Sequence, residues 1–136
     1  MKYSLYIALG LLALALPIHS YAQECWAASN IKGYSAFADE GYAFSNDRLS
    51  NPILICFGED SGTVTGTDVS LVKFGASTLA GYGGNDKGNE LFEVYQIDRV
   101  NGKLLYIKTR IGTKTIAPVL SDVVASYVGN VKRVSE

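Results

Sequence analysis

Short apolar runs alternate with glycine-containing polar turns along most of the chain, a pattern typical of antiparallel β structure. The two clearest runs are 90–98 and 103–111, which are rich in Val, Ile, Leu, Phe and Tyr. Asn101-Gly102 lies between them, and this dipeptide favours the tight turn of a β-hairpin. The pattern therefore predicts a long hairpin in the second half of the chain.

The second of these runs alternates between apolar and cationic positions near its end. Ile107 and Thr109 fall on one face of the predicted strand, and Tyr106, Lys108 and Arg110 fall on the other. This alternation predicts a half-buried strand whose outer surface is cationic. Tyr106 and Arg110 would then form an exposed patch suited to a protein partner, since both residue types are enriched at binding hot spots.

The C-terminal segment has a different pattern from the β runs. Ser121-Asp122 is a favourable helix N-cap, Val123 and Tyr127 share one helical face, and Gly129 is a suitable C-terminal stop. These signals predict a short helix over 121–127. The remaining apolar runs predict strands at 53–57, 63–65, 69–74 and 77–82.

The first 22 residues have the pattern of a secretory signal peptide. Lys2 precedes an apolar run over 5–16, and Ser20-Tyr21-Ala22 places small residues before a cleavage site. The run is too short for a membrane-spanning helix, which needs about 20 apolar residues. Removal of 1–22 would leave a single β-rich domain, 23–136, in the periplasm or outside the cell.

The two cysteines, Cys25 and Cys56, are expected to form a disulfide, since a single pair in an exported chain is most simply oxidised. Gln23-Glu24 precedes Cys25 in place of the small residues that bacterial lipidation requires, so no stable membrane anchor is expected. We therefore expect a mainly β fold, a small antiparallel β-barrel or β-sandwich with one short C-terminal helix and one disulfide.

Processing of the predicted leader would also remove His19, the only histidine in the chain. The remaining residues could not then build a Ser-His-Asp centre or a histidine-ligated zinc site. The sequence has no glycine-rich phosphate loop and no dinucleotide fingerprint. Its net charge of −1 does not suit a nucleic-acid partner. We therefore expect no catalytic residue, no cofactor and no nucleic-acid partner.

Two groups of oxygen-bearing side chains remain. Glu59, Asp60 and Asp68 would be the acids of a carboxylate-dependent hydrolase, or else simply belong to solvated turns. The segment 85–90 is rich in Asn, Asp and Glu, but calcium needs six to eight oxygen ligands and Lys87 lies inside the group. This pattern favours an ordinary hairpin loop, and no metal is expected.

Export, small size and the missing catalytic groups favour a binding protein over an enzyme. The leading prediction is an inhibitor or immunity factor that blocks a cell-wall-degrading enzyme or toxin, with loops on a rigid scaffold as the binding elements. The alternatives are a small-ligand carrier with a β-barrel cavity and the carboxylate-dependent hydrolase. An exposed edge strand would also allow a homodimer by strand pairing. The candidate partner-binding residues are Glu59, Asp60, Tyr82, Asn85, Asp86, Tyr106 and Arg110.

Overall fold

The structure, a computed structural model, describes residues 23–117 and 119–134, so the predicted leader lies outside the described residues. None of the residues it describes forms a helix long and apolar enough to cross a membrane. Two 3-10 turns, Ala38–Glu40 and Thr113–Thr115, accompany the strands. The strands are β1 (Glu24–Phe37), β2 (Phe44–Leu49), β3 (Ile53–Phe57), β4 (Ser61–Val64), β5 (Leu71–Phe74), β6 (Thr78–Gly84), β7 (Glu90–Asp98), β8 (Lys103–Ile111) and β9 (Val123–Val134).

The strands form a closed antiparallel barrel of eight strands, β1 and β3 to β9. β9 closes the ring by pairing with β1, from Val123 opposite Phe37 to Val134 opposite Cys25. β2 and β3 lie end to end along the other edge of β1. The predicted mainly β fold is thus confirmed, and its architecture is a barrel.

The pairing partner of β1 on one edge changes from β3 to β2 near Asn30, whose backbone φ is 51°. The register with β9 shifts between Ser29 and Lys32 at this point. An irregularity of this kind bends a strand and increases its local twist. The bend lies between the first half of β1, which pairs with β3, and the second half, which pairs with β2.

β7 and β8 form the predicted hairpin, and their bounds are those expected from the sequence. Gly102 has a φ of 61° in the connecting turn, a conformation that glycine adopts readily. The Asp98 carboxylate accepts hydrogen bonds from the backbone N–H groups of Val100 and Asn101. The local turn chemistry therefore sets the register of the longest uninterrupted hairpin in the barrel.

The predicted C-terminal helix is wrong, because Val123–Val134 forms β9. Val123, Ala125 and Tyr127 are buried and alternate with more exposed residues, which is the period of a strand. Gly129 is not a helix stop. It lies against β1, where an added Cβ would be 2.9 Å from Ile31 Cγ1. Hydrogen-bonding partners on both sides, β8 and β1, outweigh the local helix signals.

The barrel has two chemically different ends. The hairpin end carries the β3–β4, β5–β6 and β7–β8 turns, and the open end carries the other connections. Arg99 covers the hairpin end, where its guanidinium lies 5.5 Å from the centre of the Trp26 ring and forms an ion pair with Glu24. The largest fully buried apolar side chains of the core are Ile31, Ile55, Leu79 and Leu104.

The predicted disulfide between Cys25 and Cys56 is confirmed. The two residues are direct partners in the β1–β3 register, with Cα atoms 4.1 Å apart. The disulfide joins residues 31 positions apart in the sequence. Closing a loop of this length stabilises a protein by about 3–4 kcal/mol in the chain-entropy model. A disulfide also fits an oxidising compartment outside the cytoplasm.

Candidate functional site: the open end of the lumen and the outer apolar face

A row of three stacked tyrosines crosses the lumen from β7 to β9. Tyr95, Tyr106 and Tyr127 are direct cross-strand partners. The ring centres of Tyr95 and Tyr106 are 4.4 Å apart, and those of Tyr106 and Tyr127 are 5.4 Å apart. Large rings at facing positions fill a barrel interior and leave their hydroxyl groups in need of partners.

Glu93 supplies the partner for two of these hydroxyl groups. Tyr95 and Tyr106 donate to its carboxylate at 3.1 and 3.0 Å, and the Thr67 hydroxyl donates at 2.5 Å. The Lys108 ammonium lies 3.3 Å from the same carboxylate, whose residue is only 2 % exposed. Every oxygen of this buried acid is thus hydrogen-bonded, as a charge in a barrel interior requires.

The buried environment keeps the tyrosine hydroxyl groups protonated. Burial raises the pKa of Tyr95 and Tyr106 above the ordinary tyrosine value, and the negative charge of Glu93 raises both further. A phenol that stays protonated remains a hydrogen-bond donor at any physiological pH. The two hydroxyl groups therefore act as permanent donors in this polar layer.

Asp47 on β2 plays the same part at the other end of the tyrosine row. Its carboxylate accepts hydrogen bonds from the Tyr127 hydroxyl and from the backbone N–H of Arg48, both at 2.7 Å. Burial alone would raise the pKa of Asp47, but the hydrogen bonds from Tyr127 and Arg48 are among those that bring it below the ordinary value. Asp47 therefore stays ionised.

A cleft of about 380 Å³ opens beside this polar layer. Its rim is formed by the β2–β3 connection, including Arg48 and Pro52, and by Gly66 in the β4–β5 turn. Its floor includes Glu93, Tyr106 and Lys108. This volume falls within the usual range of small-ligand sites. The cleft is one place where a small molecule could reach the lumen.

The structure corrects the expected orientation of β8. Tyr106 is only 5 % exposed, and Lys108 points into the lumen towards Glu93. Arg110, on the same side of the strand, donates to the backbone oxygen of Ser121 at 3.3 Å. The prediction of a cationic outer surface is therefore wrong, and Tyr106 and Arg110 do not form an exposed patch.

The outer surface of β8 is instead apolar. Leu105 and Ile107 are 42 % and 48 % exposed. Through the strand register Val128 on β9 lies opposite Leu105, and Tyr34 on β1 lies in the same row as Ile107. These four residues (Tyr34, Leu105, Ile107 and Val128) line a shallow groove of about 340 Å³ and are here named the outer apolar face. Sequence reasoning missed this face because it placed Ile107 on the buried side of β8.

The other predicted partner-binding residues lie in separate places. Glu59 and Asp60 are in the β3–β4 turn at the hairpin end, whereas Tyr82, Asn85 and Asp86 are at the open end. Tyr82 is exposed on the outer side of β6. Asn85 Oδ1 accepts the backbone N–H groups of residues 87 and 89, so this side chain holds its own loop. The two groups are too far apart to form one surface.

The acids considered for hydrolysis are also separated. Glu59 and Asp60 precede β4, whereas Asp68 follows it, which places them at opposite ends of a four-residue strand. Such a strand is about 13 Å long, more than the spacing of a glycosidase acid pair. Within residues 23–117 and 119–134, no three His, Cys, Asp or Glu side chains are grouped so that they could hold a metal ion.

Fold and site together define a disulfide-bonded antiparallel β-barrel with a polar layer in its open end and an apolar outer face. Comparisons with family models, with curated proteins and with solved structures found no match for the chain.

Proposed function

We propose that this protein is an exported binding protein that recognises a protein partner through the outer apolar face. The observation that carries the proposal is the exposure of Leu105, Ile107, Val128 and Tyr34 on neighbouring strands of a closed barrel. Grouped apolar side chains on a protein surface usually mark an interaction site, whereas scattered ones need no explanation. The rigid hydrogen-bonded wall beneath them would keep the conformational cost of binding low.

Charges beside this face indicate the chemistry of the partner. Lys32 is the direct partner of Val128 in the β1–β9 register and of Arg48 in the β1–β2 register. The outer apolar face therefore has a cationic border. A surface with a complementary acidic border would associate faster and more selectively.

An inhibitor or immunity factor directed at a cell-wall-degrading enzyme or toxin meets this requirement. Enzymes that cleave glycosidic bonds carry a pair of carboxyl groups in an open cleft. The border formed by Lys32 and Arg48 would face these carboxyl groups while Ile107 and its neighbours cover the apolar walls of the cleft. The predicted leader and the disulfide support a location in the periplasm or outside the cell, where such enzymes act.

The test is an inhibition assay against a panel of lysozymes and peptidoglycan amidases, with binding measured by calorimetry. We expect the wild-type protein to inhibit one class, and Ile107→Asp to weaken that inhibition at least about tenfold because it buries a charge in an apolar interface. Val100→Asp is the matched control, since Val100 is exposed in the β7–β8 turn away from this face. Absence of inhibition across the panel, or equal loss in both variants, would contradict the proposal.

The cleft at the open end favours one second candidate, a carrier of a small anionic ligand. Lys108 and Arg48 both line this cleft, and Lys108 forms an ion pair there with Glu93. A carboxylate would find two cations and the edge of the Tyr106 ring. Calorimetry with a set of small carboxylates tests this candidate when it is repeated on Lys108→Met. Lys32→Met serves as the control, because Lys32 is not among the residues that line the cleft. Binding that is lost only in Lys108→Met would favour the carrier.

A further inference from the structure

β2 has an open edge, although the barrel itself is closed. Among the described residues β2 pairs only with β1. β3, which continues the line of β2, pairs on that same side with β4. β4 ends at Val64, and Gly66, with a φ of 85°, turns the chain away before it reaches the level of β2. The place that a longer β4 would occupy beside β2 is therefore not filled by any described residue.

The hydrogen-bond pattern shows which backbone groups face this open edge. The Ala38 N–H donates to Asp122 O. The backbone N–H and C=O groups of even-numbered residues in the second half of β1 therefore point towards β9, and those of odd-numbered residues point towards β2. In the β1–β2 register, Ser35 and Gly33 are opposite Ser45 and Asp47. The odd-numbered residues of β2 thus bond to β1. Even-numbered residues of β2, which are Phe44, Asn46 and Arg48, point their N–H and C=O groups outwards.

We propose that two copies of this protein pair through the open edges of β2 in a two-fold antiparallel dimer centred on Asn46. In this register Asn46 is opposite its own copy, and Phe44 is opposite Arg48 of the second copy. A guanidinium beside an aromatic ring is an attractive cation–π pair, and the two-fold axis forms it twice. On the lumen side Ser45 is opposite Asp47 of the second copy, which gives a hydroxyl donor to a carboxylate.

Neighbouring registers are less favourable for the same residues. A two-fold axis at Asp47 would place two carboxylates directly opposite each other, and like charges in cross-strand pairs are destabilising. An axis at Ser45 would leave Arg48 outside the paired segment. The sequence of β2 is thus self-complementary in one register, and this makes a second copy the occupant that the edge fits.

Exposure and composition of β2 also suit pairing. Phe44 is 68 % exposed, and β2 contains no proline, lysine or bulge, so Asp47 is its one inward-pointing charge of the kind that protects natural edges. One competitor is present: the Asp47 carboxylate holds the Arg48 N–H at 2.7 Å and must release it for the outermost bonds to form. The dimer is therefore expected to be reversible and dependent on protein concentration.

Sedimentation equilibrium of the purified protein over a wide concentration range tests the proposal. We expect a monomer–dimer equilibrium for the wild-type protein and for Asn46→Ala, which keeps the backbone N–H. Asn46→Pro removes the N–H that faces the open edge and leaves every β1–β2 bond in place, so it should raise the dimer dissociation constant about tenfold or more. Near-ultraviolet circular dichroism verifies that this variant keeps its fold.

A second pair of variants tests the register without proline. Arg48→Glu should weaken dimerisation, and Phe44→Lys combined with Arg48→Glu should restore it, because lysine and glutamate then lie opposite each other. In the wild-type protein, hydrogen exchange at the amides of Phe44 and Asn46 should slow as concentration rises. A wild-type protein that sediments as a monomer throughout, or equal dimerisation of the Asn46→Pro and Asn46→Ala variants, would overturn the proposal. This outcome is independent of the inhibition assay for the outer apolar face.

Discussion

The hydroxyl of Tyr127 on β9 donates a 2.7 Å hydrogen bond to the carboxylate of Asp47 on β2. The two residues are 80 positions apart in the sequence, and β1 lies between their strands. Gly33 is the residue of β1 in register with both, and it must be glycine because an added Cβ would collide with the backbone oxygen of Ser126. The hydrogen bond ties the strand with the open edge to the tyrosine row of the lumen.

Replacement of Tyr127 by phenylalanine is expected to lower the free energy of unfolding by about 1–2 kcal/mol at neutral pH, since it removes a hydrogen bond to a charged group. The hydrogen bonds to Asp47 hold its pKa below the ordinary value of the unfolded chain, so their contribution is complete above that value and is lost as the pH falls through the folded pKa. Urea unfolding should therefore show a smaller difference between Tyr127→Phe and wild type near pH 2 than near pH 6. Tyr82→Phe, at an exposed site, serves as the control.

Glu93 is the hub of the lumen cluster, and its charge is predicted to matter more than its volume. Glu93→Gln keeps the shape but leaves the Lys108 ammonium without its ion-pair partner, which should cost about 2–3 kcal/mol of stability. Glu90→Gln, on an exposed site of the same strand, should have almost no effect. The double variant Glu93→Gln/Lys108→Met tests this explanation in thermal unfolding. If it is no more stable than Glu93→Gln alone, the unpaired ammonium is not the cause of the lost stability.

The hairpin of β7 and β8, the disulfide and the mainly β class could be predicted from the sequence because their signals are local. The alternation of apolar and cationic residues along β8 was also visible in the sequence, but which of the two faces is buried was not. Sequence alone does not show which face of a strand is inside a barrel, and an interior that is polar at one end reverses the usual assignment. Glu93 shares its strand face with Tyr95 and Ile97, and this lone charge among apolar residues is the sequence signal that could have indicated a buried polar cluster.

β9 could not be predicted for a different reason. The N-cap residues at 121–122 and Gly129 are real local helix signals, yet tertiary pairing on two sides overrides them. The close approach of Gly129 to Ile31 yields a direct check. Gly129→Ala should lower stability by about 1–2 kcal/mol because the new Cβ has no room. Gly83→Ala, whose nearest contact would be 3.4 Å, should be nearly neutral in chemical denaturation.

The disulfide is expected to contribute stability without being required for the fold. A Cys25→Ser/Cys56→Ser variant should unfold at lower urea concentration, with a loss of about 3–4 kcal/mol in the chain-entropy model. β1 keeps its hydrogen bonds to β3 and β9 in that variant, so its circular dichroism should match the wild type. Dithiothreitol should lower the stability of the wild-type protein to that of the variant and leave the variant unchanged.

Leu104 and Leu105 are adjacent in β8, but Leu104 lies in the core and Leu105 lies on the outer surface. The two residues therefore allow a direct comparison of a buried and an exposed leucine. Leu104 is fully buried, so Leu104→Ala should lower the free energy of unfolding by about 3 kcal/mol. Leu105→Ala, on the outer apolar face, should change stability by less than about 1 kcal/mol. If the outer apolar face binds a partner, the same Leu105→Ala variant should lose affinity while Leu104→Ala, measured at a temperature where it is folded, should not. If Leu105→Ala lowered stability more than Leu104→Ala, the Leu105 side of β8 would face the lumen. The outer apolar face would then have no basis.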